Sequence, residues 1–258
     1  MLNFIAQGNK TNPALVFLHG FLGSSQDWSE VIALISEDYY CVAIDLPAHA
    51  ASGETLCIGF DDCCDKLIET INKAIPDQTY YLVGYSLGGR LGMYLAAQKK
   101  PSKLRGLIVE SSHLGLRPEN CAARWQQDQS WAKRFSFEPL TEVVQDWYQQ
   151  AIFATLTEEQ KSQLVAKRVK TNISTQALAA MLMATSLSKQ PRFNKHCFAM
   201  PVLYLCGEAD VKFTAIAINS GLQYKTIKNA GHNVHFEQSR AYVEALIRWL
   251  TIKERTHG

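Results

Sequence analysis

The sequence predicts an α/β fold: a mostly parallel, doubly wound sheet with an inserted helical cap. Two observations predict the sheet. Short apolar runs have the length of strands, and they alternate with segments of helical periodicity. A third predicts the cap, because this alternation stops between about residues 113 and 196, where only helical patterns occur. We therefore expect residues 1–112 and 197–258 to form the core and residues 113–196 to form the cap.

The predicted strands are short and mostly apolar on both faces, which is typical of parallel strands covered by helices on each side. They are Ala14–Leu18, Tyr40–Ile44, Tyr80–Val83, Leu107–Val109, Val202–Cys206 and a weaker run at Tyr224–Ile227. The predicted helices lie between and after these strands, where apolar residues recur at helical spacing. They are Ser24–Ile35, Phe60–Ile75 and Gly88–Ala97 in the core, and Ala122–Arg134, Leu140–Gln150, Glu158–Lys170 and Thr175–Leu187 in the cap.

The composition excludes several classes of protein. The chain has 258 residues, of which 47% are hydrophobic, so it can bury a sizeable core. Its net charge of +2 is too small to indicate a nucleic-acid or membrane-surface binder. No apolar run approaches the ~18 residues of a membrane span, and the first residues lack the pattern of a secretory signal. We expect a cytoplasmic protein, and the lack of an unexplained apolar stripe favours a monomer.

The cysteines indicate neither a zinc site nor a disulfide framework, because their number is odd and their spacing fits no zinc pattern. They are Cys41, Cys57, Cys63, Cys64, Cys121, Cys197 and Cys206. We expect all seven to be reduced thiols, as is usual in the cytosol. The sequence also lacks clustered metal ligands and a dinucleotide fingerprint, so we predict no metal and no cofactor.

A Gly-x-Ser-x-Gly sequence, Gly84-Tyr85-Ser86-Leu87-Gly88, follows the third predicted strand and opens a helix. This is the strand–turn–helix context of a nucleophile elbow. Such a turn strains the backbone of Ser86 and places its hydroxyl at the carboxyl edge of the sheet, where open α/β sheets bind ligands. The simpler alternative is a serine in an ordinary tight turn.

A serine nucleophile or base needs partners, which follow it in this fold in the order Asp, then His. Asp210 and His232 lie in loops after the fifth and sixth predicted strands, at the same edge as Ser86. Asp210 would hold the imidazole tautomer, and His232 would take and return the serine proton. Glu208 could replace Asp210 and His235 could replace His232, but we favour the first pair.

Two backbone N–H groups are candidates for an oxyanion hole. His19-Gly20-Phe21 follows the first predicted strand, and such a His-Gly sequence supplies one N–H, which we assign to Phe21. The second belongs to Leu87, the residue after the serine.

The predicted cap carries an excess of positive charge. Residues 113–196 contain 11 Lys and Arg against 7 Asp and Glu, a net of +4, so the rest of the chain has a net of −2. This asymmetry suggests an anionic ligand beneath the cap. A solvated basic face explains the composition equally well.

Several segments together resemble a known family. They are Val83–Arg90, Glu138–Thr141, Asp146–Gln150, Ala179–Leu182, Ala184–Leu187, Leu205–Glu208 and Ala230–Asn233. The elbow is shared by many proteins of the α/β-hydrolase fold, whereas the cap segments are specific. With them the chain resembles, over essentially its whole length, the 2-succinyl-6-hydroxy-2,4-cyclohexadiene-1-carboxylate synthases of menaquinone biosynthesis.

The resemblance implies a carbon–oxygen lyase. The family's substrate is 2-succinyl-5-enolpyruvyl-6-hydroxy-3-cyclohexene-1-carboxylate, a tricarboxylate that loses pyruvate after a ring proton beside the succinyl ketone is removed. Ser86, activated by His232 and Asp210, would accept that proton. The enolate oxygen would lie between the N–H groups of Phe21 and Leu87, where fixed dipoles stabilise developing charge.

The resemblance also implies substrate-binding residues. By match to the family, Arg90, Arg124 and Arg168 would bind the carboxylates, which guanidinium groups hold in bidentate geometry. Arg90 lies one helical turn beyond the elbow serine, so its head can reach the pocket, whereas an unmatched arginine would simply be a surface residue. Tyr85 and Trp147 would be pocket walls, although Trp147 is equally compatible with the core of the cap.

One segment departs from the family's pattern. The family tends to have glycines in an Asp-Leu-Pro-Gly-His-Gly sequence, where this chain has Ala48 and Ala50. Alanine disfavours positive φ, so we expect the backbone of this loop to differ.

Two other functions use the same residues. A serine esterase or thioesterase would combine the triad with water as the second substrate, but three arginines at a pocket suit a polyanion better than an acyl chain. A non-catalytic ligand receptor would have no need of the intact Ser86, Asp210 and His232.

Overall fold

A single sheet of seven strands forms the centre of the protein, whose computed structural model describes residues 1–170 and 174–257. The strands are β1 (Phe4–Gln7), β2 (Ala14–Leu18), β3 (Tyr40–Ile44), β4 (Tyr80–Tyr85), β5 (Leu104–Glu110), β6 (Val202–Gly207) and β7 (Gln223–Ile227). Their order is β1-β3-β2-β4-β5-β6-β7, and every pair is parallel except β1 with β3. The predicted fold class is confirmed, and six of the seven strands were predicted, the exception being the antiparallel edge strand β1.

Helices cover both faces of the sheet and form the insertion. They are α1 (Ser29–Ile35), α2 (Phe60–Ala74), α3 (Leu87–Tyr94), α4 (Cys121–Phe137), α5 (Leu140–Tyr148), α6 (Glu158–Lys170), α7 (Thr175–Ala184), α8 (Val211–Ser220), α9 (Val234–Glu237) and α10 (Ser239–His257). A 3-10 turn at Ser25–Trp28 precedes α1, and a π-helical turn at Leu95–Lys99 continues α3. The four helices α4 to α7 lie between β5 and β6, where the cap is expected. Within the described ranges, no helix combines the length and apolarity that a bilayer span requires.

The strands are apolar throughout because each face of the sheet packs into its own hydrophobic cluster. On β2, Val16 and Leu18 belong to one cluster and Leu15 and Phe17 to the other, as the alternation of side chains along a strand dictates. A third cluster joins the cap helices, and it includes Leu22 from the loop after β2. This contact ties the cap to the edge of the sheet where the predicted site residues lie.

The cysteine prediction is wrong for one pair. Cys57 and Cys63 are joined in a disulfide, so not all seven cysteines are free thiols. Cys57 precedes α2 and Cys63 lies in its first turn, which brings their Cα atoms to 5.5 Å, a separation that a disulfide spans. Neither the parity of the count nor the zinc patterns could reveal such a local pair. The free cysteines are Cys41, Cys64, Cys121, Cys197 and Cys206.

Candidate active site

The Gly-x-Ser-x-Gly sequence forms a sharp turn between β4 and α3. Ser86 has φ 50° and ψ −107°, a conformation that costs an L-residue energy and therefore needs support. Its N–H donates to the carbonyl of Glu110 at 2.9 Å, and its carbonyl accepts from the hydroxyl of Ser112 at 3.0 Å. The glycines give room, because a Cβ on Gly84 would lie only 2.6 Å from the backbone of Gly88.

Asp210 and His232 form a buried pair at the same edge of the sheet. The imidazole Nδ1 of His232 lies 2.8 Å from Oδ2 of Asp210. A neutral imidazole that donates its Nδ1 proton to this carboxylate leaves Nε2 free to accept a proton. Asp210 is fixed in turn as the N-cap of α8, where Oδ1 accepts from the N–H of Phe213 at 3.3 Å. The ring of Phe213 packs 4.6 Å from the imidazole.

Ser86 and His232 line one cavity of about 370 Å³ between the sheet edge and the cap. Across the described part of the chain, the structure records no hydrogen bond between the Ser86 hydroxyl and His232. The structure thus brings together all three predicted triad residues, with the Asp210–His232 link formed and the link to Ser86 open.

The two alternative partners lie elsewhere. Glu208 is exposed, and its backbone N–H bonds to the carbonyl of Ile227. His235 is buried behind the site, where its Nδ1 lies 2.9 Å from both carboxylate oxygens of Glu110 and its ring stacks on Trp28 at 4.4 Å. His232 lines the cavity and His235 does not, and Asp210 rather than Glu208 contacts the imidazole of His232, so the geometry favours Asp210 and His232.

The two residues proposed for the oxyanion hole also line this cavity. Leu87 begins α3, so its N–H lies in the first helical turn, where backbone donors have no acceptor within the helix. Phe21 lies in the loop after β2, and the next residue, Leu22, donates its N–H to Nε2 of His49 at 3.0 Å. His49 therefore fixes the backbone beside Phe21.

Two buried histidines hold the loops at this edge in their neutral form. His19 Nε2 accepts the N–H of Leu46 at 2.9 Å, as His49 does for Leu22, and an acceptor nitrogen cannot carry a proton. The Nδ1 atom of each then donates to a carbonyl, that of Gly20 for His19 and that of Pro47 for His49. Burial lowers the pKa of both imidazoles, that of His49 to about 3.

We expect this depressed pKa to make stability depend on pH. Between pH 6.5 and 3 the unfolded chain binds a proton at His49 that the folded chain rejects, so the free energy of unfolding falls as pH falls. From pH 7 to pH 5 the loss from His49 is about 2 kcal/mol. His49→Gln keeps an acceptor near Nε2 and cannot titrate, so it should lose about 2 kcal/mol less over this range. Urea unfolding at both pH values measures the difference, and equal losses in both proteins would rule out His49 as the cause.

The alanine-containing loop adopts the backbone conformation that alanine disfavours. Ala48 and Ala50 adopt φ 64° and 44°, the left-handed region that glycine favours. This conformation costs alanine roughly 1–2 kcal/mol at each position. Hydrogen bonds hold this conformation in place. The N–H of Ala48 donates to the carbonyl of Thr55 at 2.8 Å, and the N–H of Ala51 donates to Oδ2 of Asp45 at 3.3 Å. The loop therefore tolerates alanine without leaving this conformation.

Two of the three predicted arginines line the cavity. Arg90 is buried, and its Nε donates to Oε1 of Gln190 at 2.6 Å while its Nη2 donates to the carbonyl of Thr185. Burial and the neighbouring Arg124 lower the pKa of Arg90 to about 9. Arg124, on α4, donates from Nε to Asp128 at 2.8 Å. Asp128 also lines the cavity, so the two guanidinium groups together leave this wall with a net positive charge.

The third arginine does not reach this cavity. Arg168, on α6, is buried against the core, where Nη1 lies 2.8 Å from Oδ1 of Asp27 and Nε donates to the hydroxyl of Tyr148 at 3.1 Å. Burial opposes ionisation of Asp27, but Arg168 and Lys167 outweigh it and hold the pKa of that carboxyl well below its usual range. In this structure Arg168 connects the cap to the turn before α1.

Of the two aromatic residues that were predicted to line the pocket, one lines the cavity and the other does not. Trp147 lines the cavity and packs 5.1 Å from Phe21. Tyr85 lies behind the site, with its hydroxyl donating to Oδ1 of Asn233 and its ring 5.5 Å from the imidazole of His232. Since neighbouring residues at the end of a strand point to opposite sides, Tyr85 faces away from the cavity that the next residue enters.

Seven polar residues that line the same cavity were not predicted from the sequence. Three belong to the core, namely Ser111, His113 and Lys212, and four belong to the cap, namely Gln127, Asp128, Gln150 and Thr185. Ser111 and His113 directly follow β5, and Lys212 lies two residues after Asp210. Their positions at the carboxyl edge of the sheet were the available signal, because no motif marks them. Among the residues that the structure describes, no group of three or more His, Cys, Asp and Glu is placed to hold a metal ion.

Comparisons with known proteins agree with this geometry. Residues 13–239 match the family model described as the alpha/beta hydrolase fold. The chain is 43% identical over 244 residues to the 2-succinyl-6-hydroxy-2,4-cyclohexadiene-1-carboxylate synthase of Yersinia enterocolitica, covering 93% of this chain and 88% of that protein. It is 44% identical over 250 residues to the synthase of the same name from Citrobacter koseri, covering 95% and 96%.

A solved structure adds to these matches. The structure of MenH from S. aureus superposes on this chain with a TM-score of 0.88 at 27% sequence identity. The match covers 98% of this chain and 100% of that chain. The family resemblance predicted from the sequence is thereby confirmed. The chain belongs to the α/β-hydrolase fold family and, within it, to the family of the 2-succinyl-6-hydroxy-2,4-cyclohexadiene-1-carboxylate synthases.

Proposed function

We propose that this chain eliminates pyruvate from 2-succinyl-5-enolpyruvyl-6-hydroxy-3-cyclohexene-1-carboxylate to give 2-succinyl-6-hydroxy-2,4-cyclohexadiene-1-carboxylate. Its family supports the predicted enzyme class, a carbon–oxygen lyase of menaquinone biosynthesis. One observation carries the mechanistic part: Ser86 at the elbow and the Asp210-oriented His232 share a cavity with two arginines. That combination suits a base-catalysed reaction on a polyanion.

The proposed reaction begins with proton transfer. His232 Nε2 takes the hydroxyl proton of Ser86, and the Ser86 oxygen removes the ring proton beside the succinyl ketone. The electron pair of that C–H bond moves toward the ketone and forms an enolate, whose oxygen the N–H groups of Phe21 and Leu87 would stabilise. The enolate then re-forms the ketone and expels enolpyruvate, so a ring C–O bond breaks. Protonation of enolpyruvate at carbon gives pyruvate.

We propose that the two arginines of the cavity orient the substrate. Arg90 and Arg124 would bind carboxylates of the substrate, while the apolar ring of Trp147 would pack against its carbocycle. The family resemblance assigns a further carboxylate to Arg168, whose guanidinium could bind it only after releasing Asp27. Tyr85 does not line this cavity, and its proposed role is to position the imidazole of His232, against which its ring packs. The monomeric state and cytoplasmic location stay predictions from the sequence.

The second candidate function is ester or thioester hydrolysis by the same triad. The arginines argue against it, since an acyl chain gains nothing from two guanidinium groups at the cavity. We expect the purified protein to release pyruvate from the cyclohexene tricarboxylate with a much higher kcat/KM than it hydrolyses p-nitrophenyl esters. A lactate dehydrogenase-coupled assay and p-nitrophenol absorbance measure the two rates. Faster ester hydrolysis would favour the esterase instead.

A further inference from the structure

The cavity has a group of polar core residues that the proposed mechanism does not use. Ser111 and His113 come from the segment after β5, and Lys212 comes from the first turn of α8. All three belong to the core, whereas Arg124 belongs to the cap. All three line the cavity, and each has unused capacity to donate a hydrogen bond.

Lys212 is the only one of the three with a fixed charge. Its ammonium lies 5.5 Å from the ring of Phe213, and the described residues provide it with no ion pair or hydrogen bond. Partial desolvation beside the cavity and the neighbouring Arg124 lower the pKa of Lys212, although the residue also has an exposed surface. The nearby Asp210 acts in the opposite direction and raises this pKa, but its influence is smaller than those of burial and Arg124, and the described residues show no ion pair between the two side chains. A cation placed this way favours an anion between itself and Arg124.

His113 offers a neutral donor beside this charge. Its Nδ1 accepts the N–H of Gly115 at 3.1 Å, so in the neutral ring the proton is on Nε2. Burial and the nearby Lys212 and Arg90 lower the pKa of His113 to about 4, so the ring is neutral at pH 7. An incoming carboxylate would accept from Nε2–H and relieve the repulsion among these cations.

Ser111 carries an unpartnered hydroxyl. The residue is 0% exposed, and its Oγ has no hydrogen-bond partner. It also adopts φ 45°, while its N–H donates to the carbonyl of Leu205 at 2.9 Å. A buried, unpaired hydroxyl on a strained backbone is costly, and such features concentrate at ligand-binding sites. Ser111 lines the cavity, so a ligand bound there could accept from this hydroxyl.

We propose that Lys212, His113 and Ser111 form an anion subsite that binds one carboxylate of the substrate, opposite the carboxylates held by Arg90 and Arg124. The inference rests on the proposed function, whose substrate has three carboxylates. Arg90 and Arg124 line the cavity, whereas Arg168 lies outside it against Asp27, so a third carboxylate needs another cation. Lys212 provides that charge.

The test is a binding titration with tricarballylate, a compact tricarboxylate, that does not depend on turnover. Trp131 and Trp147 line the cavity, so their fluorescence reports occupancy. We expect Lys212→Met to weaken tricarballylate binding roughly tenfold, the effect of losing one charge-assisted hydrogen bond, and Lys212→Arg to restore much of it. Lys225→Met, at an exposed position of β7, is the matched control and should bind like the unmodified protein. Arg124→Met is the benchmark for the cavity.

The outcomes separate the subsite from the proposed function. If Arg124→Met weakens binding and Lys212→Met does not, the subsite is rejected while the polyanion cavity stands. If neither variant changes binding, or if tricarballylate does not bind, the cavity itself is not a polycarboxylate site.

Ser111→Ala gives an independent reading of the same subsite. Because the hydroxyl has no partner in the protein, its removal should leave the melting temperature unchanged or raise it. The same change should weaken tricarballylate binding about threefold, since a neutral hydrogen bond to the ligand is lost. A variant that loses stability and keeps its affinity would show that the hydroxyl serves the fold and would overturn its assignment to the subsite.

Discussion

Ser86→Ala is expected to lower kcat for pyruvate release by roughly 10²–10⁴-fold, the range that a positioned base contributes. The variant keeps the elbow and the Asp210–His232 pair but has no oxygen to receive the ring proton. Binding of the substrate should change little, because we propose that residues other than Ser86 bind its carboxylates. Steady-state kinetics of pyruvate release give kcat, and fluorescence titration with tricarballylate gives the affinity.

The control for Ser86→Ala is Ser162→Ala, at an exposed position of α6. Both variants should show the melting temperature of the unmodified protein within a few degrees, so that a loss of activity reports chemistry rather than unfolding. Turnover by Ser86→Ala within twofold of the unmodified enzyme would mean that another group accepts the proton.

Arg168→Met is expected to destabilise the protein by about 3 kcal/mol, because it leaves the buried Asp27 without its main partner. The neighbouring Lys167 also lies 2.8 Å from this carboxylate, but it is 42% exposed, and such pairs are worth about 0–1 kcal/mol. Lys167→Met is therefore the matched control with a small expected effect. Urea unfolding measures both changes.

A double-mutant cycle shows whether the Arg168 effect comes from this pair. In the background of Asp27→Asn, which keeps the size of the side chain without its charge, the loss from Arg168→Met should shrink to about 1 kcal/mol. An undiminished loss would contradict the assignment. A raised KM with unchanged stability would instead place Arg168 at the substrate, as the family resemblance implies.

The sequence contained most of the sheet because its strands are buried on both faces. Runs such as Ala14–Leu18 have no polar position, so their length and apolarity predict strands directly. β1 escaped detection because it is a four-residue edge strand with two exposed positions, which carries no such signal. The elbow was predictable from its Gly-x-Ser-x-Gly motif. The loops of Asp210 and His232 were predictable because each follows a predicted strand and therefore lies at the carboxyl edge of the sheet.

Side-chain direction was the part that the sequence could not provide. Tyr85 adjoins Ser86 in the chain yet faces the opposite side of the strand end. Arg168 matches a family position, but which face of α6 docks on the core depends on the partner, Asp27, which lies 141 residues earlier. Lys212, by contrast, carries no motif and enters the cavity because α8 begins at the rim.

The central claim is that the Ser86 oxygen removes a ring proton and forms no bond to carbon. It is tested most directly by a single-turnover reaction with substrate deuterated at the ring carbon beside the succinyl ketone, followed by mass spectrometry of the quenched enzyme. The account predicts slower pyruvate release from the deuterated substrate and an enzyme of unchanged mass. Equal rates together with a covalent adduct on Ser86 would contradict it.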